Sequence, residues 1–116
     1  MPFEVRPATT GGSPVLEVHG ELDLLTAPEL ERAVETALGA APAMLVVDLT
    51  PTTFLDSSGA RQVARAARSA LRAGSDARVV CPKDNRTVRL VIDMLELHSL
   101  VPVLESTDDL ALDTGP

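Results

Sequence analysis

The chain has 116 residues, 45% of them apolar, which is the size of one ordinary domain with a full core. Seventeen acids against ten bases give a net charge of −7, which opposes nucleic acid or an anionic membrane as partner. Two Phe with no Trp or Tyr make the core aliphatic and leave no platform for stacked bases, and one cysteine excludes an internal disulfide or a cysteine-rich zinc site.

In chain order, residues 3–6 suit a short edge strand, and the Pro-, Thr- and Gly-rich stretch 7–14 a turn. Residues 15–20 alternate apolar and polar as a strand does, completing an N-terminal antiparallel hairpin. Thr26-Ala27-Pro28-Glu29 has capping-box spacing, with proline in the first turn. Leu30, Ala33, Val34, Ala37 and Leu38 follow at helical spacing, and Gly39 and Pro42 end the helix.

Residues 44–47 form a continuous apolar run, as expected of a strand covered on both faces. A second helix starts at Ser57 or Ser58 and runs to Ala73, with Gly74 closing it. Its inner face is expected at Ala60, Val63, Ala67, Ala70 and Leu71, and its outer face at Arg61, Arg65, Arg68 and Arg72. Residues 78–81 make another buried strand, stopped by Pro82, with Cys81 read as a structural thiol.

Asp84 or Asn85 can cap a third helix with the stripe Val88, Val91, Ile92 and Leu95. Residues 100–104 suit an edge strand containing Pro102. Residues 106–109 begin a short last helix with Leu110 and Leu112, and residues 113–116 are expected to fray. The fold class expected is α/β, a single domain over 1–116 with a mixed sheet of 4–5 strands and about four helices. No apolar run approaches the roughly 18 residues of a membrane span, and residues 1–6 do not form a signal peptide, so the expected address is cytoplasmic.

The chemistry concentrates at Asp56-Ser57-Ser58-Gly59, where a strand-like run meets a helix start and a helix N-terminus welcomes an anion. Attack by a serine needs a base, and only His19 and His98 exist, neither near a G-x-S-x-G elbow. Two distant histidines make no metal signature, and no Walker or G-x-G-x-x-G loop is present, so no cofactor is expected. An aspartyl-phosphate receiver would use Asp48 with Glu21, Asp23 and Lys83, but the N-terminal hairpin fits it poorly. A plain turn and cap formed by Asp56, Ser57 and Ser58 is the bland alternative to serine phosphorylation.

Gly20-Glu21-Leu22-Asp23, Thr26-Ala27-Pro28, Val46-Val47-Asp48-Leu49 and Phe54-Leu55-Asp56-Ser57-Ser58-Gly59 occur in that order. Together they resemble STAS domains of the anti-sigma factor antagonist branch, over roughly residues 3–112. The chain departs from that pattern at Glu96-Leu97, where Gly-Leu is common, and at Ala60, where a larger aliphatic residue is common.

The resemblance implies a bacterial partner-switching protein rather than an enzyme. Its unphosphorylated form would bind an anti-sigma factor with serine kinase activity, freeing a sigma factor. Phosphorylation of Ser58, or alternatively Ser57, would end the complex, and a serine phosphatase would reset it. Asp23, Asp56, Ser57, Ser58 and Gly59 would contact the partner. Asp23 is expected beside the serine turn, or else as a turn former capping the next helix. Gly59 is expected to allow close approach of a partner or nucleotide. The alternative is a STAS regulatory or scaffold module that binds another protein or a small ligand without serine chemistry.

Overall fold

The computed structural model describes residues 2–113. Its strands are β1 (Glu4–Thr10), β2 (Ser13–Leu22), β3 (Met44–Asp48), β4 (Thr52–Leu55), β5 (Asp76–Val80) and β6 (Val103–Leu104). Its helices are α1 (Ala27–Leu38), α2 (Ser57–Arg72), α3 (Arg86–Met94) and the single turn α4 (Leu110–Asp113). Of the expected frayed end, residues 114–116 lie outside the described residues, as does the side chain of Leu112.

The sheet is mixed and six-stranded, with order β1-β2-β3-β5-β6 and β4 paired to β2. Among the described residues only the β1–β2 pair is antiparallel. The strand count exceeds the 4–5 expected because Thr52–Leu55 adds β4, a four-residue strand that no apolar alternation marks. Among the described residues the helices amount to three full α-helices and one α-turn, with 3-10 turns at Leu97–Ser99 and Thr107–Asp109.

The hairpin is longer than its composition suggests. Residues 7–10 continue β1 as an edge strand, where Pro7 opposite Leu16 is tolerated, rather than forming part of the turn. The reversal is confined to Gly11 and Gly12, both at positive φ (57° and 85°), as a two-residue turn of the right-handed twist requires.

Alternation along the strands divides the core between the two faces of the sheet. Leu16, Val18, Leu45, Val47, Ala77 and Val79 meet α1, α2 and α3 through Leu30, Val34, Val63, Ala67, Val88 and Ile92. Val15, Met44, Val46 and Val80 face the other way, against Leu110. Met44–Val47 are buried, as the apolar run predicts, and Asp48 at the end of β3 is buried with them.

Two expected core positions are corrected. Leu71 is 56% exposed and Leu95 48%. The inner face of α2 is built instead from small residues including Ala64 and Ala66, on a line that leaves position 71 outside. Leu95 falls just past the end of α3, and Leu97 takes its place in the core after Glu96 turns the chain at φ 53°. No helix among the described residues is long and apolar enough to cross a membrane.

Candidate functional site

β2 serves two parallel neighbours in succession. Val15–Glu17 pair with β3, and Gly20–Leu22 pair with β4 across a register shift at Gly20/Glu21. Gly20 adopts φ 96° there, with Phe3 and Pro2 packed where a side chain would stand. Leu22 lies opposite Leu55, so the next residues, Asp23 and Asp56, emerge side by side at the carboxyl ends of neighbouring parallel strands. In open α/β sheets that edge is where ligands and partners are met.

Asp56 is the N-cap of α2, and its Oδ1 accepts from the Gly59 amide at 2.8 Å. The first main-chain bond of the helix runs from the Ala60 amide to the Asp56 carbonyl, 2.9 Å. The Ser57 and Ser58 amides precede it and have no hydrogen-bond partner among the described residues. Ser57 is exposed and Ser58 half-buried, so both hydroxyls occupy the first turn of a 16-residue helix.

Gly59 is buried, and the Leu22 backbone fills the place of its missing side chain. A Cβ there would lie 2.9 Å from both the Leu22 carbonyl carbon and Leu55 Cδ1, and closer still to the Leu22 oxygen. The close approach that glycine permits is therefore made by the chain's own strand end, not by an incoming molecule. This contact locks the Gly-Glu-Leu-Asp segment against the Asp-Ser-Ser-Gly turn.

Asp23 forms its own turn. Its Oδ1 accepts from the Leu25 amide (2.9 Å) and the Thr26 amide (3.1 Å). The Thr26 hydroxyl accepts from the Asp23 amide (2.9 Å) and donates to the Glu21 carbonyl (2.8 Å). The expected capping box at Thr26 and Glu29 is thus replaced: Thr26 turns back to the strand and makes no side-chain cap. Every hydrogen bond of the Asp23 carboxylate stays within this turn, and none reaches Ser57 or Ser58.

Exposed apolar residues border the site. Leu24 and Leu25, directly after Asp23, are 71% and 86% exposed, and Phe54 on β4 lies open opposite Glu21. Leu90 and Met94 on α3 are also exposed. The signal was in the sequence: two consecutive leucines before a helix start leave one or both without a core position. A larger apolar cleft of about 610 Å³ lies between the hairpin and α1, and no residue of the Asp23 or Ser58 turns lines it.

The side chains that the competing chemistries would use make other contacts. His19 Nε2 lies 3.2 Å from Glu17 Oε1 on β2, and no hydrogen bond links either histidine to the serines among the described residues. Asp48 Oδ1 accepts from the amide (2.9 Å) and hydroxyl (2.6 Å) of Thr50, making a turn. Among the described residues no cluster of His, Cys, Asp or Glu could hold a metal. Cys81 is fully buried, and burial pushes its thiol up to about 11.

Asn85 stands at the N-cap of α3 but makes no cap bond. Its side-chain amide donates to the Leu49 carbonyl (3.2 Å) and the Thr52 carbonyl (2.8 Å) instead, tying α3 to the loop that leads into β4.

The family model for the STAS domain matches residues 4–110. The anti-sigma-F factor antagonist RsfB of Mycobacterium tuberculosis is 40% identical over 60 residues, 52% of this chain and 49% of the relative. The match thus spans about half the length of that curated relative. A crystal structure of an anti-sigma factor antagonist from Mycobacterium paratuberculosis superposes with a TM-score of 0.84 at 28% identity, covering 97% of this chain and 93% of that one. SpoIIAA in its unphosphorylated form shares the fold, with a TM-score of 0.71 at 20% identity over 99% of this chain and all of its own.

Proposed function

The chain belongs to the STAS domain family, and from that premise we propose that it is an anti-sigma factor antagonist switched by serine phosphorylation. In this reading the unphosphorylated form binds an anti-sigma factor of the serine kinase type and so frees a sigma factor. The partner transfers phosphate from ATP to Ser58, with Ser57 the neighbouring alternative, and a serine phosphatase restores the hydroxyl. The observation that carries the reading is the placement of Ser57 and Ser58 in the open first turn of α2, against the Asp23 turn across the Gly59–Leu22 contact. The names of the M. tuberculosis and M. paratuberculosis relatives supply the partner class.

The mechanism follows from charge. A phosphate adds about −1.5 to −2 charges at pH 7. On the free chain it meets unpartnered amides and the positive end of α2, so the fold tolerates it. Pressed into an interface it would be desolvated beside Asp23 and Asp56, and the amides that favour it cannot offset both acids and lost water. A penalty of about 2.7 kcal/mol weakens binding a hundredfold. Asp23, Asp56, Ser57 and Ser58 supply the polar part of the contact, with Leu24, Leu25 and Phe54 as its apolar border; Gly59 acts from beneath by holding the two turns together.

Incubation with kinase-type anti-sigma factors and ATP, read by mass spectrometry, tests the assignment. Phosphate incorporation that disappears in Ser58→Ala and persists in Ser57→Ala is the expected result. Loss only in Ser57→Ala moves the acceptor by one residue. Tight binding without incorporation by any of them replaces the switch with a scaffold role.

A further inference from the structure

α2 holds four of the chain's ten Lys and Arg and none of its seventeen Asp and Glu. Ser57, Arg61, Arg65, Arg68 and Arg72 follow at intervals of four, four, three and four residues, so they share one face, about 80° wide and about 22 Å long. All five are exposed. Among the described residues none of these arginines lies within 4.0 Å of an acid, whereas Arg6 and Arg89 are paired.

This arrangement works against the helix itself. Like charges at i,i+3 and i,i+4 repel along the helix, and Arg61 stands near the end where the dipole disfavours a cation. A surface that served solubility alone would mix signs, as this acid-rich chain does elsewhere. The strip also borders a groove of about 480 Å³ between α1 and α2, with Arg65, Arg68 and Arg72 on one wall and Glu31 and Glu35 on the other.

We infer that the arginine face of α2 is a docking strip for an acidic polypeptide segment of the anti-sigma partner, continuous with the serine turn. The inference rests on the function proposed above. A protein segment suits the strip better than a membrane, because Leu71 is the one exposed large apolar side chain on α2 and the chain's net charge is −7. The same placement gives the phosphate a second action. Arg61 is three residues from Ser58 and four from Ser57, one helical turn, so a phosphate there would draw Arg61 away from the partner's acids.

The test compares wild type with the triple charge reversal Arg65→Glu/Arg68→Glu/Arg72→Glu, which leaves Arg61 and the serine turn intact. Association and dissociation rates are measured at rising salt against a kinase-type anti-sigma factor, with circular dichroism as a folding check and the triple Gln variant as a milder control. The expected result is a fall of about tenfold or more in association rate at low salt, with the variant's salt dependence flattened and the Gln variant intermediate. Equal rates and salt slopes in folded variants overturn the strip while leaving the functional reading intact. A wild type that binds no such factor overturns both. Unchanged partner kinetics together with reversal-sensitive binding to phosphatidylglycerol vesicles would assign the strip to membranes and overturn it as well.

Discussion

The carbonyl of Leu22 occupies the space that a side chain on Gly59 would need. This one contact joins the end of β2 to the first turn of α2. It sets how far Asp23 stands from Ser58, because each is one residue away from the contact.

Gly59→Ala therefore disturbs more than a helix residue. The added methyl would press on Leu22 and Leu55, both rigid and buried, at 2.9 Å or less. The expected cost is about 1–3 kcal/mol in urea unfolding, the range for overpacking a filled site. Alanine at an ordinary helix position would instead stabilise relative to glycine, so the sign of the change tests the contact.

The two aspartates at the strand ends are separable by substitution. Asp56→Ala removes the α2 cap and should cost about 1 kcal/mol, with Asp56→Asn close to wild type. Asp23→Ala removes the acceptor of the Leu25 and Thr26 amides, which water can partly replace at this open turn, and should cost about 1 kcal/mol, while Asp23→Asn keeps an oxygen in place. Equilibrium unfolding of the four variants checks both statements.

Cys81 should behave as an inert buried thiol. In the native protein, iodoacetamide at pH 8 should leave it unmodified for hours, and in urea it should react at once. The pH dependence has a definite sign. Below pH 9 the thiol is protonated whether folded or unfolded and contributes no slope. Between its ordinary 9.0 and about 11 only the unfolded chain gives up the proton, so stability falls as pH rises through that window. Cys81→Ala should lose less stability than wild type between those pH values, whatever its starting stability.

Glu96 pays a backbone strain at φ 53° that glycine would relieve. Glu96→Gly should raise stability by up to about 1 kcal/mol, since a left-handed residue with a Cβ costs roughly 1–2 kcal/mol and glycine returns part of it as chain entropy. Thermal unfolding reads this directly; a loss of stability would show that the Glu96 side chain contributes more than its turn costs.

Much of the frame was readable from sequence because it depends on local chemistry. The apolar run of β3, the start of α2 and its arginine face are set by residues close in the chain. The departure at Glu96-Leu97 also proved meaningful, since the glutamate takes the left-handed turn. What escaped reading depends on distant partners. Thr52–Leu55 is a four-residue strand without alternation, recognisable only once β2 offers it an edge at Gly20–Leu22. The Thr26 cap failed because the hydroxyl found Glu21 and Asp23 behind it. Gly59 signalled close approach, but nothing local named Leu22 as the group approaching.

A charge switch on an unchanged fold would be read in the affinity for a kinase-type anti-sigma factor. The unphosphorylated chain and a chain carrying genetically encoded phosphoserine at position 58 are titrated side by side, with amide spectra recorded for each alone. The phosphate should weaken binding about a hundredfold or more, with spectral changes confined to the Asp23 and Ser58 turns and the start of α2. Equal affinity of the two forms, or spectra showing that α2 has refolded, would contradict it.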